Sequence, residues 1–189
     1  MRQAGSVTHW QVREAEARDA DAVAALHIQG WWAYRGLLPD WWLDDPARAM
    51  ACVQRWRAQL ARPAGERATA VWVATDGQGR VVGFVRFGPT ADPPSRSQGL
   101  EADEVWDLWV DPEVRSQGVG STLLREALRR CRRPVVVWVL RDNLRGRAFY
   151  AREGAVDDLL VRTERIEVSG HSGFDVVDVR MRWAGEAAR

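Results

Sequence analysis

Lysine is absent. Every one of the 27 basic residues is arginine, which excludes a lysine nucleophile or a lysine Schiff base. Cysteine is scarce: Cys52 and Cys131 lie far apart, match no metal spacing and point to an undisulfided cytoplasmic protein. His9, His27 and His171 show no ligand spacing either, so no metal is expected. No Gly-x-Ser-x-Gly occurs, which removes that route to a covalent intermediate. An excess of either charge is also missing. With 26 acidic residues the net charge is +1, so no strong field draws nucleic acid or an anionic membrane. The one basic cluster, Arg129–Arg133 around Cys131, falls in the last turn of an expected helix, where cations complement the dipole. No run approaches the roughly 18 apolar residues of a membrane span, and "MRQAGSVTHW" lacks the apolar centre of a signal peptide.

What is present reads as one domain over residues 1–189. Alternation predicts a first strand over Val7–Ala15. A helix follows in "ARDADAVAALHIQGWWAY", with Asp19 as its N-cap, and breaks at Gly36 and Pro39. A second helix spans about Pro46–Ala61. "ATAVWVATDGQGRVVGFVRFGPT" reads as a hairpin turning at "DGQG", and "ADPPSRSQGL" as a loop. "ADEVWDLWVDP" is a strand, and a helix runs from about Gly118 to Arg132 on Leu123, Leu124, Ala127 and Leu128. "PVVVWVL" is apolar throughout, as in a strand buried on both faces. "NLRGRAFYAREG" is a short helix stopped by Gly154, and two strands close the chain. The order β-α-α-β-β-β-α-β-α-β-β gives an α/β fold with a mixed sheet.

The step from strand to helix near residues 105–130 is a candidate anion site. A helix start offers unpaired N–H groups and a positive dipole end. Gly118 and Gly120 remove Cβ atoms there, and Arg115 adds a fixed charge. An ordinary glycine-led helix start explains the glycines alone. A Walker loop does not fit, because Leu123 replaces its second glycine and no lysine follows. A dinucleotide fingerprint fits poorly: Leu123 also replaces its third glycine, and "DPEVRSQ" separates the glycines from the strand.

"RSQGVG" (Arg115–Gly120) matches Arg/Gln-x-x-Gly-x-Gly/Ala after a strand ending "LWVDP". Here the chain resembles the GNAT superfamily of acyl-CoA-dependent N-acyltransferases. "VREAEARDADAVAALHIQGWWAYRGLLPDWWL" resembles its first strand and substrate-side helices. "EVWDLWVDPEVRSQGVGSTLLREAL" resembles its acyl-CoA motif, and "VVWVLRDNLRGRAFYAREGAV" its next strand and helix. The resemblance implies a mostly antiparallel sheet of about seven strands, flanked by about four helices, with a splayed parallel pair. It implies acetyl transfer from acetyl-CoA to a primary amine without a covalent enzyme intermediate, and possible homodimers. A non-catalytic acyl-CoA-binding sensor or partner module is the alternative.

The resemblance also distributes roles. Backbone N–H groups of Gln117, Gly118, Val119, Gly120 and Ser121, with Arg115 and Ser116, would hold the diphosphate. The Leu108, Trp109 and Val110 backbone would pair with the pantetheine arm, and one N–H there would meet the developing oxyanion. Tyr150 would protonate the leaving thiolate; a core aromatic is its plain reading. Asn143 would touch the cofactor, or simply cap its helix. An amine is protonated at neutral pH and needs a base. Glu104 holds the position of the catalytic carboxylate in some branches, with Asp107, Asp103 and Glu101 as rivals, and an ordered water chain serves other members. The acceptor would lie against Trp31, Trp32 and Tyr34, in a cluster with Trp41 and Trp42 that also suits a core. Asp40, Asp44 and Asp45 offer charges for an ammonium. A polyamine, an aminoglycoside, an amino acid and a protein N-terminus all remain open.

Overall fold

A computed structural model describes residues 10–91 and 101–183. The start of the expected first strand (Val7–His9) and nearly all of the loop "ADPPSRSQGL" lie outside the described residues. The strands are β1 Gln11–Glu14, β2 Ala70–Thr75, β3 Val81–Pro89, β4 Asp103–Val110, β5 Val135–Leu140, β6 Val156–Ile166 and β7 Phe174–Trp183. The helices are α1 Ala20–Trp31, α2 Asp40–Leu43, α3 Pro46–Ala61, α4 Val119–Arg130 and α5 Leu144–Arg152.

Local chemistry accounts for the helix limits. Pro46 opens α3, and the Asp45 carboxylate accepts from Ala47 N at 2.9 Å. Asn143 caps α5, its Oδ1 accepting from Gly146 N at 2.9 Å. Asp19 stands at the N-cap of α1 as expected, but its side chain makes no cap hydrogen bond. Its carboxylate accepts from Glu16 N at 2.8 Å and from the Arg13 guanidinium at 2.6 and 2.8 Å, which ties the preceding 3-10 turn to β1. The one-turn α2, begun after Pro39, was not expected at all.

The sheet order is β1-β2-β3-β4-β5-β7-β6. Neighbours are antiparallel except β4 and β5. Helices α1 and α3 cover one face, where Val23, Trp56 and Leu60 pack on Val71, Val73 and Phe84. Helix α4 covers the other with Leu123, Leu124 and Ala127 against Val82, Val85, Val105 and Val137. Each fully buried aliphatic side chain contributes about 1.5–3 kcal/mol, so these two layers hold the sheet rigid.

Two irregularities shape the centre. Arg86 pairs with Asp107 but Phe87 pairs with Val105, so Trp106 is an extra residue in β4, a β-bulge. The parallel pair is also very short: β5 meets β4 only at Asp103↔Val135 and Glu104↔Val136. Meanwhile β3 holds β4 through Val110, and β7 holds β5 through Leu140. Beyond Glu104 the two central strands therefore diverge, and their facing edges have no partner strand.

Candidate active site

The divergence opens a cavity of about 560 Å³. Residues Val105–Val110 of β4 form one wall and Val137, Trp138 and Val139 of β5 the other. One end reaches the start of α4, and the other reaches α1 and the turn after it.

At the α4 end the backbone does the work. Ser116 (φ 63) and Gly118 (φ 87) are both left-handed, which bends the chain into the helix. Helix α4 begins at Val119, so its first-turn N–H groups have no partner within the helix. A Cβ built on Gly120 would lie 3.5 Å from the Phe149 ring and from Val110, ordinary contact, so only a longer side chain would be forced into the cavity. Arg115 and Arg145 both line this end. Burial, then the nearby Arg145 charge, holds the Arg115 guanidinium below its usual range. Two cations crowded at a helix N-terminus suit a diphosphate, so the residues present fit coenzyme A.

At the α1 end side chains from four elements meet. The Asp107 carboxylate accepts from Arg86 Nε at 2.5 Å, and its other oxygen lies 3.4 Å from His27 Nε2. Trp56 Nε1, which only donates, gives a hydrogen bond to His27 Nδ1 at 3.0 Å. His27 therefore carries its proton on Nε2, facing Asp107. Burial pushes the His27 pKa down to about 4, with Asp107 opposing and Arg55, Arg86 and Arg48 assisting, so the imidazole is neutral at pH 7. The Tyr150 phenol is pushed well above its usual range by burial, then by Tyr34 and Asp107. Tyr34 is raised likewise, by burial and then by Asp107 and Asp178. Both phenols keep their protons at neutral pH.

Of the residues singled out in the sequence, Leu108, Trp109, Val110, Arg115, Ser116, Gly118, Gly120, Ser121, Asn143, Tyr150, Trp31 and Tyr34 line the cavity. Four do not. Gln117 is turned to the surface, where its carbonyl accepts from Trp10 Nε1 at 3.3 Å. Val119 is core. Trp32 is exposed. Glu104 is buried and accepts from Thr90 Oγ1 at 2.8 Å, outside the cavity lining. The bulge at Trp106 is the reason, because it changes the alternation between Glu104 and Asp107 and presents Asp107 to α1 instead. Asp40 and Asp44 are held by Arg35, and Asp45 caps α3.

Three contributors were not anticipated: His27 as a partner of Asp107, Arg145, and Gly30. A Cβ on Gly30 would fall 2.3 Å from the Trp109 ring, so only glycine lets α1 sit on that indole. A glycine inside a helical pattern was the available signal. Among the described residues, no group of three or more His, Cys, Asp or Glu is placed to hold a metal, and no helix is long and apolar enough to cross a membrane.

Comparison with known proteins agrees with this architecture. The chain is 41% identical over 149 residues to an uncharacterized N-acetyltransferase of Archaeoglobus fulgidus, covering 76% of this chain and 90% of that one. It is 27% identical to the uncharacterized N-acetyltransferase YuaI of Bacillus subtilis, over 70% of this chain and 72% of the relative. The PaiA N-acetyltransferase of Thermoplasma acidophilum, solved with coenzyme A, shares the fold with a TM-score of 0.66 at 18% identity, covering 93% of this chain and 98% of that one. The model of the acetyltransferase (GNAT) family matches residues 28–155. That match runs from within α1 to just past α5 and takes in both sides of the cavity: the chain belongs to the GNAT family and is an N-acetyltransferase of that type.

Proposed function

We propose that the protein moves an acetyl group from acetyl-CoA directly onto a primary amine. The observation that carries this reading is the single cavity joining the α4 start to Asp107 and Tyr150. Acetyl-CoA, when bound, supplies an acyl group on a thioester whose thiolate can leave.

Arg115, Arg145 and the first-turn N–H groups of α4 hold the diphosphate. The open edge of β4 over Leu108–Val110 takes the extended arm by strand addition, and an N–H there stabilises the oxygen that gains charge. Asp107 receives the ammonium and accepts its proton on the way to solvent. Arg86 and the neutral His27 fix that carboxylate in place. Tyr150 keeps its proton at neutral pH and gives it to the departing thiolate, whose basicity burial in the same cavity raises as it does the phenol's.

Direct transfer is supported by the cysteines. Neither lines the cavity. Burial, then Asp103, raises Cys131 to about 12, and burial raises Cys52, so neither is a ready thiolate nucleophile.

The test is calorimetric titration with acetyl-CoA, using NADH and ATP as controls, followed by amine-dependent release of free thiol. Binding of acetyl-CoA with turnover on an amine is the expected result. Binding without turnover on any amine would leave an acyl-CoA-binding module, and no binding would overturn the whole site.

A further inference from the structure

We infer that the acceptor is a monoamine carried on a neutral aromatic body. This rests on the acetyl-transfer reading above and names the substrate class of the same cavity. Its acceptor end is walled by Trp31, Tyr34, Leu38, Trp42 and Trp138.

Aromatic walls usually admit two kinds of guest, a cation over a ring face or another flat ring. The protein's own arginines decide between them. The Arg48 guanidinium lies 3.2 Å from the centre of the Trp42 ring and 4.4 Å from that of Trp31. Arg162 stands 4.6 Å from the centre of Trp138. Neither arginine is part of the cavity lining, so both back the walls from outside. Three tryptophans thus already carry a cation against the π-system. A second positive charge on the cavity side would face a guanidinium through a thin ring. A neutral ring meets no such repulsion and keeps the full stacking surface.

The carboxylates give the second half of the argument. Asp107 is the one acid among the described residues that line the cavity. Asp107 is itself paired with Arg86, but it alone turns to the cavity; the other acids nearby, Asp40 and Asp44 on Arg35, Asp178 on Arg162 and Asp158 on Arg180, lie outside the lining. One ammonium is therefore provided for, beside Tyr150, and a second is not. A polyamine would place its further charges against tryptophans backed by arginine.

The test compares phenethylamine, n-butylamine and spermidine as acceptors by thiol release at saturating acetyl-CoA. Phenethylamine is expected to exceed n-butylamine by roughly tenfold in kcat/KM, as ring stacking predicts, and spermidine by more. Equal handling of n-butylamine, or better handling of spermidine, overturns the inference. Calorimetry of phenethylamine on the protein loaded with coenzyme A separates this inference from the reading it rests on. Binding there supports the aromatic site even if no amine is turned over, and absence of binding overturns it. Two variants sharpen the result. Trp42→Ala should raise KM for phenethylamine about tenfold while leaving acetyl-CoA affinity unchanged. Arg48→Met, which removes the charge behind Trp31 and Trp42, should narrow the gap between phenethylamine and spermidine. An unchanged gap in a folded Arg48→Met protein would also count against the inference.

Discussion

The two ends of the cavity are built by opposite means. At the α4 end the groups on offer are backbone N–H donors, freed by a helix start and left accessible by glycine, with Arg115 and Arg145 adding charge. At the α1 end they are side chains drawn from α1, α3, β3 and β4, linked as Trp56–His27–Asp107–Arg86. A backbone site depends on a short continuous segment and takes any molecule with the matching anion. A side-chain site depends on the packing of four elements and sets which molecule fits beside it. On the proposed function, the same cavity joins a general half to a selective half.

Substitutions at the two ends should separate accordingly. The largest effect is expected from Gly120→Glu, whose carboxylate would reach past Phe149 and Val110 toward the diphosphate. Acetyl-CoA affinity should fall by about a hundredfold or more, the scale of a buried like-charge clash, with unchanged circular dichroism; normal affinity in the folded variant would show that α4 does not hold the anion. Next comes Asp107→Asn against Glu104→Gln. The first should lower kcat/KM for the amine by roughly 10²-fold, the usual scale for a general base, and the second by less than about twofold. The reverse order would return the role to Glu104. Tyr150→Phe should cut turnover about tenfold or more with acetyl-CoA affinity preserved, and unchanged turnover would mean that water protonates the thiolate.

The smallest effect on activity concerns His27 and is read in stability instead. Its folded pKa of about 4 lies below its ordinary 6.5, so the unfolded chain binds more protons between those values. The sign follows: stability is fully present above about pH 6.5 and falls as pH drops toward 4, by about 3 kcal/mol from this group. Urea denaturation at several pH values should show that loss, and His27→Gln should remove the part due to the imidazole. Parallel pH curves for the two proteins would mean that His27 is not buried neutral.

The same contrast governs what the sequence shows. The start of α4 was legible because "RSQGVG" carries its own instructions: glycine for a left-handed turn, then an amphipathic helix on Leu123, Leu124 and Ala127. The limits of α3 were legible for a similar reason, with Pro46 at one end and Pro63 beyond the other, though the capping role of Asp45 was not. Which acid of β4 faces the cavity was not legible. Counting back from Leu108 leads to Glu104 with Asp107 only a rival, but the extra residue Trp106 exists only because β3 pairs with β4 in a shifted register, and Asp107 is the one that lines the cavity. The side-chain partner of Asp19 was hidden for a related reason, since Arg13 arrives from β1. Partnerships across elements leave no local signature, and His27 with Trp56 is a third case.

The two-pair contact between β4 and β5 has a mechanical consequence. The sheet is two blocks, β1–β4 and β5–β7, stitched at a narrow seam. A molecule that pairs with the open edge acts as a keystone between them. Occupancy then becomes part of the protein's rigidity, rising with RT ln(1 + [L]/Kd). The amide hydrogens of Leu108 and Val110, which by strand alternation point away from β3, should exchange with solvent quickly in the empty protein and slowly in the loaded one, so the edge proposed for the acyl donor would also report whether the molecule is braced.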